Sequence, residues 1–253
     1  MFEYMANGSL ADRLICKGGS PPLPWYMRFR ICFEVATALL FLHSHPEPII
    51  HHDLKPGNIL LDHNYVSKIS DVGIAKLVPN NLTFGITMYK ETTLMGTMAY
   101  MDPDYQRTGV ISCESDVYSL GIVMLQILTG QPPVGVIDLV EEAIDNHKLE
   151  DVIDKSVGDW PLDKAMELAS LALDCAEPRR KHRAKLESKV LPILEKLRAY
   201  ADEEVTAMKL YHNTEPVIPS FFFCPISQVS FYYSVFHFIF FRCSEYGLCT
   251  LIH

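Results

Sequence analysis

The sequence predicts a mainly α-helical domain of the α+β class, and three observations carry that prediction. Residues 25–43 place apolar side chains at three- and four-residue steps (Trp25, Phe29, Cys32, Ala36, Leu39, His43), the pattern of a helix with one buried stripe. Residues 114–129, ESDVYSLGIVMLQILT, are apolar nearly all round, which predicts a central helix buried on every side. Extended segments are short and few: residues 59–61 and 66–69 flank Asp62-His63-Asn64 and read as one small hairpin.

Taken in chain order, MANGS at residues 5–9 is a turn, because Asn-Gly favours positive φ. Gly18-Gly19-Ser20-Pro21-Pro22 is a loop. The helix over 25–43 stops ahead of Pro46 and Pro48, and Ile49-Ile50 is a short extended lead into HHDLKPGNILLD at 51–62. After the hairpin, residues 74–104 show little periodicity and carry Thr83, Thr87, Thr92, Thr93 and Thr97; a loop of that length in a compact domain is usually functional. The apolar helix ends at Gly130 and Pro132-Pro133. Further helices are predicted near 137–146, 162–175 and 185–212. The last is amphipathic, with Leu186, Val190, Ile193, Leu194 and Leu197 on one side and Glu187, Lys189, Glu195, Lys196 and Arg198 elsewhere.

The bulk composition narrows the function classes. A chain of 253 residues with 49% hydrophobic and 21% charged residues can bury a real core, as one large or two small domains. A net charge of -9 argues against nucleic acid as the main partner, since phosphate backbones require a basic face. The seven cysteines (Cys16, Cys32, Cys113, Cys175, Cys224, Cys243, Cys249) form no CxxC pair and are odd in number. With no charged-then-apolar leader, they read as free thiols, and the expected location is the reducing cytoplasm. Residues 216–241 contain no Asp, Glu, Lys or Arg and are rich in aromatics, so a boundary falls near their start.

The chemistry concentrates in Asp53, Lys55, Asn58 and Asp71. An acid on a tight loop can orient a hydroxyl and accept its proton. A lysine two residues on can reach a transferring phosphate, and an amide five residues on offers an oxygen to a hard cation. A second carboxylate after the hairpin can hold that cation against polyphosphate oxygens. Phosphoryl transfer needs this set: an oriented nucleophile, charge neutralisation and Mg²⁺. Any one of these residues alone would be an ordinary solvated turn residue; the ordered set is far more specific.

HHDLKPGN resembles the catalytic loop of the protein kinase family, H-R-D-L-x-x-x-N, at all but one fixed position. Asp71-Val72-Gly73 stands where the family has Asp-Phe-Gly, and Asp102-Pro103-Asp104, after Met101, where it has Ala-Pro-Glu. Gly96-Thr97 resembles the substrate-facing turn before it. Asp116 in SDVYSLG resembles the helix aspartate that holds the catalytic-loop backbone, and Arg183 in KHRAKL the late arginine that pairs with the Ala-Pro-Glu acid, here Asp104. FEYMANGSL looks like the segment between the two kinase lobes, with Met5 where a backbone N–H meets adenine.

The resemblance implies a serine/threonine kinase that uses ATP and Mg²⁺ on a protein substrate. In it Asp53 orients the hydroxyl, Lys55 steadies the γ-phosphate, Asn58 and Asp71 hold the metal, and Leu60 forms the floor under adenine. His51, His52, Gly73, Thr97, Asp104, Asp116 and Arg183 take structural or regulatory places. EYMANGSL and GTMAYMDPDYQRTG look like plant receptor-like and receptor-like cytoplasmic kinases, and FFFCPISQ resembles the opening of a U-box, a module that recruits an E2 enzyme.

The departures set further expectations. The resemblance starts at the interlobe hinge, so it implies a kinase C-terminal lobe with the N-lobe missing: no glycine-rich loop and no strand lysine, Gly18-Gly19 lying downstream of the hinge. Little or no turnover of the chain alone is then expected, since positioning supplies most of the rate in phosphoryl transfer. The implied organisation is a partial kinase domain at 1–200, a linker at 201–216, the start of a U-box at 217–228 and an aromatic tail at 229–253. His52 replaces an arginine and makes no bidentate fork. It reads either as a kinase not switched by phosphate on its activation segment or as drift without catalytic demand. Val72 shrinks a packing plug, and Asp104 shortens the reach to Arg183 by one methylene. For the tail, an aberrant chain end, a membrane-associating segment at the plasma membrane and a packed aromatic cover all stay open. Against the enzyme stand two alternatives: a non-catalytic module that binds another kinase chain or a substrate, and a remnant of a U-box ubiquitin ligase that would meet an E2 enzyme only if the U-box were complete.

Overall fold

Ser9 opens the first helix, α1 (Leu10–Leu14), by a reciprocal cap: its hydroxyl accepts the Asp12 N–H at 3.2 Å, and the Asp12 carboxylate accepts the Ser9 N–H at 3.4 Å. The computed structural model that shows this describes residues 3–71, 75–77, 88–90 and 95–212. The turn over 5–9 is present, with Gly8 at φ 66° and its N–H bonded to the Met5 carbonyl. So short a helix has no periodicity to read, and the Ser9–Asp12 pair is its one local signal.

Two helices form the core. α2 (Trp25–His43) and the later α4 (Cys113–Thr129) both lie where the apolar patterns place them, and residues 115–129 of α4 are all buried. Around them stand α3 (Pro103–Thr108), α5 (Val136–Asp145), α6 (Leu149–Val152), α7 (Leu162–Cys175) and α8 (Leu191–His212). α4 packs on α7 and α2 on α8. The first contact needs Gly121: a Cβ there would lie 2.7 Å from the Ala172 carbonyl oxygen and 2.8 Å from the Ala176 nitrogen. Arg28, buried in α2, ties the layers together by donating to the carbonyls of Leu23 and Ile127 and to Asp154.

The strands are β1 (Ile49–Ile50), β2 (Ile59–Leu61), β3 (Ser67–Ile69), β4 (Lys76–Leu77), β5 (Met88–Lys90) and β6 (Val110–Ser112). They form three antiparallel pairs, β1–β4, β2–β3 and β5–β6. β2–β3 is the expected hairpin, with Ile59 opposite Ile69. β4 and β5 fall in the segment read as aperiodic, and strands of two and three residues are too short for alternation to reveal.

The helix read over 185–212 is divided. A π-helical turn covers Leu186–Val190, and α8 starts at Leu191. Pro192 lacks the N–H that an unbroken α-helix would donate to the Ser188 carbonyl, which explains why the regular pattern begins late. α8 continues past residue 200 to His212. Cys16, Cys32, Cys113 and Cys175 are free thiols. Among the described residues no helix is long and apolar enough to cross a membrane. The U-box-like start at 217–228, the tail at 229–253, Val72, Gly73 and the remaining three cysteines lie outside the described residues.

Candidate active site

The catalytic-loop stretch is built from β1 outward. After Ile50, His52 turns through φ 70°, a left-handed conformation that a non-glycine residue keeps only when its surroundings hold it. Asp116 of α4 does the holding: its Oδ2 accepts the His51 N–H at 2.8 Å and its Oδ1 the His52 N–H at 2.9 Å. The His51 ring adds a second tie. Nε2 donates to the Ser70 carbonyl at 3.0 Å, which leaves Nδ1 to accept the Asp53 N–H at 3.3 Å.

Asp53 is the hub of the site. Lys55 Nζ donates to its Oδ2 at 2.6 Å, and the Asn58 amide donates to Oδ2 at 3.0 Å and to the Asp53 carbonyl at 2.8 Å. On the other oxygen, Oδ1, converge the Thr97 N–H at 2.9 Å and the Thr97 hydroxyl at 2.6 Å, and that hydroxyl in turn accepts from Lys55 at 2.7 Å. Burial alone would raise the Asp53 carboxyl. The Lys55 ammonium and the two Thr97 bonds outweigh it and hold the group below its ordinary value, so Asp53 is an ionised acceptor at neutral pH. Thr97 can come this close because Gly96, at φ 107°, has no side chain: a Cβ there would meet the His52 carbonyl oxygen at 2.8 Å.

The hairpin returns the chain to the same end. Asn58 closes a 3-10 turn, Pro56–Asn58, and its carbonyl accepts the Ser70 N–H at 2.8 Å and the Ser70 hydroxyl at 3.1 Å. Asp71 follows directly, exposed and at φ 64°. Since Asn58 spends its side-chain NH₂ on Asp53, its side-chain oxygen, Oδ1, is the group left for a ligand. An amide oxygen and a carboxylate fit a hard cation such as Mg²⁺, which takes few protein ligands and completes its shell with phosphate and water. On the far side, residues 7–9 lie along β2: Asn7 and Gly8 exchange backbone bonds with Leu61, and Ser9 bridges to Leu60. Leu60 is half-buried between the fully buried Ile59 and Leu61, so it faces away from the core, on the strand against which the Met5 turn is laid.

One expected pair is not formed. Arg183 does not meet Asp104; its guanidinium donates to the Asp102 carboxylate, to Glu114 and Pro178 carbonyls and, through Nε, to Glu177. Asp104 instead accepts the Arg180 N–H at 2.9 Å and the exposed Arg107 guanidinium at 2.7 Å. The reason is placement. Asp102 is 2% exposed, caps α3 and accepts the Ser115 hydroxyl at 2.8 Å. Asp104, on its short side chain, sits one residue into the helix. Two further residues escaped the sequence reading as site residues: Asp102, legible only as the other acid of Asp-Pro-Asp, and His43, which counts in the sequence merely as the last member of a core stripe. His43 Nε2 lies 2.8 Å from Asp116 Oδ2.

The chain is similar to known proteins over most of its length. The protein kinase domain family matches residues 1–192. U-box domain-containing protein 52 of Arabidopsis thaliana is 50% identical over 228 residues, 89% of this chain and 27% of that protein. U-box domain-containing protein 34 of the same plant is 48% identical over 227 residues, 89% of this chain and 28% of its own length. U-box domain-containing protein 70 of Oryza sativa subsp. japonica is 44% identical over 229 residues, 90% of this chain and 28% of its own. The chain thus spans under a third of the length of these relatives. With the Asp53 loop, the hairpin and the Asp116 clamp all lying inside the matched segment, the chain belongs to the protein kinase domain family.

Proposed function

We propose that this domain transfers the γ-phosphoryl group of ATP to a serine or threonine hydroxyl of a protein substrate. The observation that carries the reading is the convergence of Lys55, Asn58 and Thr97 on the ionised Asp53 carboxylate. Asp53 accepts the hydrogen bond of the incoming hydroxyl, aims its oxygen at phosphorus and takes its proton as the new O–P bond forms and the bond to the leaving ADP breaks. Lys55 places a positive charge beside the same carboxylate, within reach of the transferring group. Thr97 ties the substrate-facing turn to the loop, so that peptide and acid are aligned together. The family uses Mg²⁺, which Asn58 and Asp71 would hold, and the ion supplies neutralisation of phosphate charge. Met5 offers its backbone to adenine, and Leu60 its side chain as the floor.

The 253-residue chain by itself turns over slowly in this reading, because none of its residues resembles the family's glycine-rich loop or strand lysine. One observation favours a second reading. The His52 ring packs edge-on against Tyr105 at 4.8 Å and presents no arginine fork to a phosphate. That suits a site not switched by phosphate on its own activation segment, whether a constitutive kinase or a non-catalytic module that binds another kinase chain. The relatives' U-box names and FFFCPISQ support kinase chemistry carried beside a ubiquitin-ligase module.

Phosphoryl transfer to a Ser/Thr peptide with Mg·ATP tests the first reading. The parent chain should label the peptide slowly, and Asp53→Asn should remove nearly all of that label. Equal labelling by the two chains would sink the role given to Asp53.

A further inference from the structure

We propose that Lys68, in the middle of β3, is a positioning residue for the adenine edge of the site: its ion pair with Glu3 fixes where the Met5 turn stands against Leu60. The nucleotide consequence rests on the reading that Met5 and Leu60 meet adenine; the anchoring itself does not.

Lys68 is 8% exposed, an unusual burial for a lysine. Its Nζ donates to Glu3 Oε2 at 2.6 Å, a charge-assisted contact between residues 65 apart in the chain. Lys68 stands directly opposite Leu60 in the β2–β3 pair. Opposed residues of an antiparallel pair carry their side chains on one face, about 4.5–5.5 Å apart at Cβ. The lysine stem and the Leu60 side chain therefore lie side by side on the same face of the hairpin, and the ammonium at the end of that stem holds Glu3.

The turn that carries Met5 is held at its other end by β2. Asn7 donates its N–H to the Leu61 carbonyl at 3.1 Å and its side-chain amide to the Asp62 carbonyl at 2.7 Å, and the Gly8 carbonyl accepts the Leu61 N–H at 2.8 Å. Those bonds fix residues 7 and 8. The Gly8 N–H, bonded to the Met5 carbonyl at 3.1 Å, closes the turn but sets no distance between residues 3–5 and the hairpin. Glu3 supplies a second polar anchor, on the second strand. A segment held at both ends presents the Met5 backbone at one place; held at one end, it pivots about Asn7. Lys68 touches no nucleotide itself; it acts through Glu3.

Calorimetric titration with adenosine and, separately, with Mg·tripolyphosphate distinguishes the two sides of the site. The chains compared are the parent, Lys68→Met, Glu3→Gln and the double variant. Glu3 is 47% exposed, so water and salt weaken the pair and its loss has a moderate effect. Each single variant should weaken adenosine about five-fold and leave tripolyphosphate unchanged, since Asn58 and Asp71 stay in place. The double variant should be no weaker than either single one, because both remove the same contact. Amide exchange at Gly8 should quicken in all three, while the Ser70 N–H, held by the Asn58 carbonyl, keeps its protection. Equal adenosine affinity in the parent and Lys68→Met would overturn this assignment alone. So would a parallel loss of tripolyphosphate, opposite effects of the two single variants, additive losses in the double variant, or an unchanged Gly8 amide. A parent chain that binds no adenosine would overturn the adenine reading of Met5 and Leu60, and the assignment of Lys68 with it.

Discussion

Asp116 in α4 and Glu34 in α2 are both buried, yet Asp116 is held below its ordinary carboxylate value and Glu34 is pushed above its own. Burial works to raise both. The difference lies in the donors. Asp116 has them on both oxygens: His43 and the His51 N–H on one, the His52 N–H on the other. Glu34 receives the Ser67 N–H at 2.7 Å and the Ser67 hydroxyl at 2.6 Å on Oε2 alone. Among the described residues its Oε1 has only the Arg30 guanidinium, at 3.4 Å and without hydrogen-bond geometry. Glu34 pins the β2–β3 hairpin to α2 from a half-satisfied position; Asp116 clamps the catalytic loop from a fully satisfied one. Among the described residues the Asp116-held loop is the better anchored, because both oxygens of that carboxylate accept hydrogen bonds.

Asp116→Ala removes the clamp on the loop outright. It leaves the His51 and His52 N–H groups without an acceptor and should cost about 3–5 kcal/mol, read from denaturant unfolding. A loss near that of an exposed site would mean the loop holds itself. Next in size is the pair at α3. Asp102→Ala strands the buried Arg183 and should cost about 3 kcal/mol, whereas Asp104→Ala, whose side-chain partner Arg107 is exposed, should cost under about 1 kcal/mol. The reverse order would restore the Asp104–Arg183 pairing that the motif suggests.

The two carboxylates also respond to pH in opposite directions. Asp116 has a depressed folded value, so its contribution is present above about 3.8, its ordinary value, and is lost as pH falls through the folded one. Glu34 has a raised folded value. Its contribution is present below its ordinary value of 4.5 and is lost as pH rises through the folded one. Glu34→Gln should therefore flatten the stability profile above pH ~4.5 while changing stability at neutral pH by less than about 1 kcal/mol. An unchanged slope in that window would show that Glu34 is satisfied after all.

What the sequence makes legible is what lies close together in it. Asp53, Lys55 and Asn58 share one turn, and the hairpin that returns the chain to Asp71 is marked by Asp62-His63-Asn64. The helices α2, α4 and α7 announce themselves because each is long enough for a stripe or a continuous apolar run. α1, α6, β4 and β5 are shorter than two periods of their own pattern, so nothing in them repeats. The choice of Asp102 over Asp104 by Arg183 depends on which acid is buried, a property of tertiary packing that two acids flanking one proline do not disclose. His43 is hidden for the same reason, since its partner Asp116 belongs to a distant helix.

In the proposed function Asp53, Asn58 and Asp71 form the metal-dependent nucleotide side of a phosphoryl-transfer site. Calorimetric titration of ATP into the chain, with Mg²⁺, with EDTA and in Asp71→Ala, tests it most directly. Binding should need Mg²⁺ and disappear in Asp71→Ala. Binding indifferent to both the metal and Asp71, or no Mg²⁺-dependent binding at all, would contradict it.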